Sequence, residues 1–224
     1  MSDHARQLPN SFEIPNKLSP LQEPEHSTPV PDRSTVNILF VGVLNYSPNI
    51  DGIDHFLGNI WPTVRKRFPQ ARFTIVGANL KKRTANRWRS KPDVDVQGYV
   101  RDIEDAYKLA DICVVPVYRG GGVHIKIMEA FKYRKPVVIS LESQRGYQNR
   151  ITDGHHAMIA QSDEAFVEKL SALIKCESTR NRMAQSAHTI FDQHYSIDTD
   201  DHTMHQILQG NRIADLNQHN GYRL

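Results

Sequence analysis

Two ionisable side chains, Lys126 and Glu129, stand three residues apart just after a run of three glycines, Gly120, Gly121 and Gly122. If the segment following the glycines is helical, that spacing puts the ammonium and the carboxylate on one helix face. The glycines let the backbone turn sharply and come close to a ligand. Amides at or just before a helix N-terminus, aided by the helix dipole, favour an anion. Anion cradle, cation and carboxylate together are the chemistry of a phosphorylated, hydroxyl-bearing ligand such as a nucleotide sugar. The same residues also read as a glycine-rich turn of an ordinary α/β domain carrying a solvated Lys–Glu pair, and spacing alone does not choose between the two.

The elements that must position these residues alternate strand and helix. Upstream of the glycines, Ile-Cys-Val-Val at 112–115 is an apolar run that suits a strand buried on both faces and closed by Pro116. Helical character is expected over 123–133, and the next strand over 136–139. Earlier in the chain, 36–42 predicts a first strand ending in Gly42, and the polar loop 43–48 leads to a helix containing Ile53, Phe56, Leu57 and Ile60. A second strand is expected at 72–76, closed by Gly77. A short one at 94–97 exits through Gly98, Tyr99 and Val100, at the C-terminal edge where ligands of open α/β sheets gather. Residues 101–110 predict a helix with Ile103, Ala106, Tyr107 and Ala110 at helical spacing. Beyond 139 come a loop with Arg145 and Gly146, a short strand ending at Ala160, a helix starting at Ser162-Asp163-Glu164, and helical segments at 181–195 and 196–209. Five or six strands alternating with helices predict an α/β fold with a single doubly wound, Rossmann-like parallel sheet at 36–209. A proline-rich irregular arm (1–35) precedes it and a polar tail (210–224) follows.

Composition narrows the function. With 224 residues, 39% hydrophobic, the chain can build a real core. The net charge of +3 is a mild excess that by itself implies neither nucleic acid nor membrane. Cys113 and Cys176 show neither metal spacing nor a disulfide framework, which fits a reducing cytoplasm. His155-His156 has no third ligand at metal spacing. The basic stretch from Lys81 to Lys91 reads first as a solvated face. Its alternatives are a peripheral contact with anionic lipid at the inner face of the membrane, or with a partner protein, and Trp88 in its midst would favour a contact surface. Nucleic acid comes last, since one basic run without a nucleic-acid fold is weak.

Five blocks carry a family pattern: 38–53 (Ile-Leu-Phe-Val-Gly-Val-Leu-Asn-Tyr-Ser-Pro-Asn-Ile-Asp-Gly-Ile), 73–77 (Phe-Thr-Ile-Val-Gly), 96–102 (Val-Gln-Gly-Tyr-Val-Arg-Asp), 120–130 (Gly-Gly-Gly-Val-His-Ile-Lys-Ile-Met-Glu-Ala) and 135–140 (Lys-Pro-Val-Val-Ile-Ser). In order and spacing they resemble the C-terminal, donor-binding half of GT-B glycosyltransferases of the family 4 type, the glycosyl transferases group 1. The resemblance covers roughly 36–195. It implies transfer of a sugar from a nucleotide diphosphate of the UDP or GDP type to an acceptor, with retention and without a bound metal or other cofactor. It places Lys126 on the diphosphate, Glu129 on the ribose hydroxyls, and the backbone of Gly121, Gly122 and Val123, with Gly120, as the phosphate cradle. Gly42 matches the other phosphate-facing turn, Gly98, Tyr99 and Val100 match the segment near the base, and His124 lies inside the motif within reach of a phosphate role. On this reading Lys126 and Glu129 are the catalytic pair. Arg145-Gly146 is a further donor contact by topology.

Three departures qualify the resemblance. The first glutamate of the family's Glu-x7-Glu motif falls on Gly121, as in a variant branch with a glycine-rich-x-Lys-x-x-Glu pattern. The loop after Gly42 lacks the arginine and lysine that many members set against the diphosphate. Only about 36 residues precede the first strand, so the acceptor-binding half of the cleft is expected on another chain, and positioning both reactants is a major part of such catalysis. A catalytically inactive remnant or regulatory nucleotide-sugar-binding module is the alternative. A nucleotide-sugar epimerase of the same shape would need a complete two-domain cleft, which the length disfavours.

Overall fold

The computed structural model describes residues 35–120, 123–148 and 150–195. The arm, the helix expected at 196–209, the tail and the glycines at 121 and 122 lie outside the described residues. Strands β1 (Val36–Val41), β2 (Ala71–Val76), β3 (Val94–Gly98), β4 (Ile112–Val115), β5 (Val137–Ser140) and β6 (Met158–Ala160) form one parallel sheet in the order β3-β2-β1-β4-β5-β6. Helices α1 (Ser47–His55) and α2 (Trp61–Arg67) link β1 to β2, and α3 (Lys82–Arg89), α4 (Ile103–Leu109) and α5 (Ile125–Lys132) make the next three crossovers. Between β5 and β6 the chain makes a short 3-10 turn, and α6 (Asp163–Lys175) and α7 (Glu177–Tyr195) follow β6.

The alternation of side chains along each strand divides the core into two layers. Ile38 and Phe40 of β1, Ile112 and Val114 of β4 and Val138 of β5 face one layer, with Phe56, Trp61 and Phe166 from the α1, α2 and α6 side. Leu39, Cys113, Val115, Val137 and Ile139 face the other, with Tyr107 of α4, Phe131 of α5 and Phe191 of α7. Both faces of β4 and β5 are covered, which is why their sequences are unbroken apolar runs. Burial of the Cys113 thiol pushes it up to about 12, so it sits there as an inert apolar group.

Between α1 and α2 the helix widens into a π-helical segment over Phe56–Ile60, with the Trp61 amide donating to the Phe56 carbonyl. Pro62 has no amide hydrogen and its ring would crowd the carbonyl four residues back, so the ladder loosens just before it. Phe56 then stacks near Phe73 at 4.7 Å and Phe166 at 5.8 Å between ring centroids. Each such ring contributes about 2 kcal/mol of burial, which fixes the helix whose first turn enters the site.

Trp88 corrects the sequence reading. It is 1% exposed, and its indole N–H donates to Asp54 at 2.7 Å. The indole completes the core under α3, whereas Lys81, Lys82, Arg83 and Lys91 stay in solvent. The basic stretch is therefore a charged outer face without the aromatic anchor that a contact surface was expected to draw from it. The helix expected from 123 begins at Ile125, with Val123 and His124 still outside it.

Candidate functional site

The strand order reverses between β1 and β4, and there α1 leaves toward one face of the sheet while α5 leaves toward the other. The crevice opened at such a reversal is where open parallel sheets take ligands. Gly42 follows β1 on one wall. On the other, Lys126 is the second residue of α5 and reaches across the crevice. A Cβ at Gly42 would stand 2.8 Å from the Lys126 Nζ and 2.9 Å from the Asn49 Nδ2, so the bare backbone is what lets the ammonium close in.

Lys126 lies 4.3 Å from the centre of the Phe40 ring and donates to the Asn49 Oδ1 at 2.7 Å. Among the described residues no carboxylate stands within ion-pair distance of it. Burial pulls its ammonium down to about 7, with the field of Glu129 opposing only in part. A cation withdrawn from water without a counter-ion is costly, and an anion entering the crevice would supply one. The solvated Lys–Glu pair that spacing left open is not what forms, since both side chains are partly buried and each has a different partner.

Glu129, one turn further along α5, accepts a hydrogen bond from the Tyr107 hydroxyl at 3.1 Å. Burial raises its carboxyl, with the Tyr107 hydrogen bond and the Lys126 charge opposing. Tyr107 rises on α4, whose Asp102 cap accepts from the Glu104 amide at 2.9 Å and which follows directly on Gly98, Tyr99 and Val100. Tyr99 is 76% exposed at the C-terminal edge, and Val100 packs on the layer that holds Tyr107. These three residues do not touch Lys126. They stand two strand positions from Gly42, about 10 Å along the edge.

Gly120 adopts φ +116°, in the region that favours glycine, and a Cβ there would meet the Tyr46 hydroxyl at 3.2 Å and Pro48 at 3.3 Å. The entry to the glycine run is thus folded against the loop after Gly42. Val123 is 47% exposed, and a Cβ at Gly146 would meet it at 3.0 Å, which brings the Arg145-Gly146 turn to the same rim. Arg145 itself is paired with Glu142 at 2.7 Å. Burial, and then the Lys126 charge, lower His124 to about 4, so it is neutral at pH 7 and offers hydrogen bonds rather than charge. His155 and His156 are loop residues as expected, His156 accepting from the Thr152 amide at 3.0 Å.

Two residues of the site escaped the sequence reading. In the sequence Tyr107 is only one of four positions at helical spacing, with Ile103, Ala106 and Ala110. Asn49 was passed over at the start of α1, although it lies on the apolar stripe that continues through Ile53, Phe56 and Ile60, and a polar residue on such a stripe is the signal that marks it. A separate cleft of about 410 Å³, which neither Gly42 nor Lys126 lines, is bordered by Asp51, His55, Tyr118, Arg119 and Asp163. Its charges are already matched, His55 to Asp163 at 2.7 Å and Arg119 to Asp51, so it is poorer in unpaired positive charge than the Lys126 crevice.

Comparison with known proteins places this geometry. No curated protein matches the sequence. The structure resembles the C-terminal domain of a glycosyl transferase group 1 family protein, LpcC, from Francisella tularensis, with TM-score 0.58 and 17% identity over 73% of this chain and 87% of that one. It also resembles S. aureus TarM, solved with fondaparinux, alpha-GlcNAc-glycerol and UDP, with TM-score 0.63 and 17% identity over 88% of this chain and 38% of that one. Anabaena HepE in complex with UDP and glucose gives TM-score 0.58 and 16% identity over 79% and 49%. The chain thus spans less than half of the two larger proteins. Residues 35–176 match the family model described as glycosyl transferases group 1, which covers every block of the site. With the sheet order and the crevice of a GT-B donor domain, this chain belongs to the group 1 glycosyl transferases.

Proposed function

We propose that the chain binds a nucleotide-diphosphate sugar in the Gly42–Lys126 crevice and serves as the donor half of a retaining, metal-independent glycosyltransferase in polysaccharide or glycoconjugate assembly. The observation that carries this is the buried, uncompensated ammonium of Lys126 at the strand-order reversal, where it meets a bare glycine backbone. A diphosphate there gains a charge-assisted contact, and Glu129 one turn on accepts from ribose hydroxyls. The base then falls toward Tyr99. In the reaction the bond between the sugar C1 and the β-phosphate oxygen breaks, a bond from the acceptor oxygen to C1 forms on the same face, and the acceptor hydroxyl's proton passes to the departing β-phosphate oxygen. The nucleoside diphosphate leaves with the charge that Lys126 stabilises. The acceptor half of such a cleft is not among the described residues. UDP in the TarM and HepE complexes supports the choice of ligand class.

The test is isothermal titration with UDP, GDP and their sugars. Saturable binding of one nucleotide is expected, and absence of heat with all of them would overturn the proposal. One observation favours the regulatory alternative: position 121 is glycine, where the resemblance places the first glutamate of the Glu-x7-Glu motif. Pull-down from the source cell separates the two, because a split enzyme brings down a second Rossmann-like protein and restores transfer.

A further inference from the structure

We propose that Asn49 is a positioning residue for donor binding, a neutral strut that aims Lys126 at the diphosphate while leaving the charge of the lysine for the ligand. This rests on the reading of Lys126 as the diphosphate-binding cation. Asn49 is 5% exposed, one of few buried polar side chains in the described residues. Its Nδ2 donates to the Val43 carbonyl at 2.9 Å and its Oδ1 accepts from the Lys126 Nζ at 2.7 Å. It therefore ties the backbone just after Gly42 to the ammonium that must meet the same ligand.

The residue type follows from those two bonds. A carbonyl can only accept and an ammonium can only donate, so the bridging side chain needs one donor and one acceptor, held apart in one plane. A carboxamide provides both. An aspartate would accept from Lys126 but could not donate to Val43, and its charge would satisfy the lysine before any diphosphate arrived. An aliphatic residue would leave the Val43 carbonyl with only the longer hydrogen bond from the Tyr46 amide, at 3.4 Å, and the ammonium without its Asn49 acceptor. Neutrality is thus part of the role: Lys126 keeps two of its three donors, and its whole charge, for the crevice. This also accounts for the loop after Gly42 doing without an arginine or lysine, because the strut brings the cation over from α5 instead.

The test pairs two variants with two readouts on the full chain. Nuclear magnetic resonance of the Lys126 ε-group in the ligand-free protein reads the strut alone, and calorimetry with UDP and with inorganic diphosphate reads its consequence. In Asn49→Asp the Lys126 titration should move up by about one pH unit or more, and affinity for both ligands at pH 7.5 should fall about tenfold or more. In Asn49→Ala the titration should move down, because the charged form loses its acceptor, with a smaller loss of affinity. Opposite shifts in the two variants are not what a purely structural role would give. If both variants leave the Lys126 titration and the two affinities within twofold of the parent, the proposal fails. Should Asn49→Asp not fold, the downward shift in Asn49→Ala decides. If the parent itself binds neither ligand, the donor-site reading falls, and the resonance shifts still settle the strut.

Discussion

Raising the pH from 7.5 to 9 should expel UDP from the site. The ligand-free Lys126 titrates near 7 because burial disfavours its charge, whereas the phosphates of UDP are fully ionised over this range. If only the ammonium form holds the diphosphate, apparent affinity follows the protonated fraction, which drops from about 0.24 to about 0.01. That is a loss of about 25-fold, or about 1.9 kcal/mol. Binding must also take up close to one proton per UDP, which titration in two buffers of different ionisation enthalpy reads directly. The stability of the ligand-free protein moves the opposite way. The folded value lies below the ordinary 10.5, so between about 7 and 10.5 the unfolded chain binds more protons and stability rises with pH across that window. Lys126→Met should flatten that slope, raise the melting temperature near pH 7 and abolish UDP binding. A dissociation constant constant within twofold from pH 7.5 to 9, with no proton uptake, would refute the reasoning.

Three further outcomes follow from named contacts. Glu129→Ala should weaken UDP by about 10-fold to 100-fold, the loss of charged hydrogen bonds to ribose, while leaving inorganic diphosphate within about threefold by calorimetry. Gly42→Ala introduces a methyl 2.8 Å from the Lys126 Nζ and 2.9 Å from the Asn49 Nδ2; its backbone lies outside the left-handed region. It should therefore cost UDP affinity about tenfold or more, with a much smaller change in chemical denaturation. Trp88→Ala should destabilise by about 3–5 kcal/mol, seen as a lower denaturant midpoint, whereas charge reversal at Lys81 and Lys82 should change stability by only about 0.5 kcal/mol.

The strands were legible because β4 and β5 are buried on both faces and their sequences are unbroken Ile, Val and Cys runs. Glycines at the exits of β1, β2 and β3 marked the C-terminal edge of the sheet, and the resemblance proposed Lys126 for the diphosphate. What a linear pattern could not deliver was the partner of each charge. The i, i+3 spacing of Lys126 and Glu129 predicted a shared face, yet Lys126 turns to Asn49 on α1 and Glu129 to Tyr107 on α4. Those contacts join residues 77 and 22 positions apart in sequence, which only the folded topology brings together. Trp88 misled for a related reason: in a run of lysines and arginines it looks exposed, but a helix turns one face to the sheet whatever the charge of the other, and Ala85 and Trp88 are that face.

The central claim is that diphosphate sits between Gly42 and Lys126. The most direct measurement is a crystal structure of the protein with UDP. Phosphate oxygens should lie within hydrogen-bonding distance of the Lys126 Nζ, with the ribose against Glu129. UDP seated elsewhere, such as the cleft beside Tyr118 and Arg119, with Lys126 still bound only to Asn49, would contradict it.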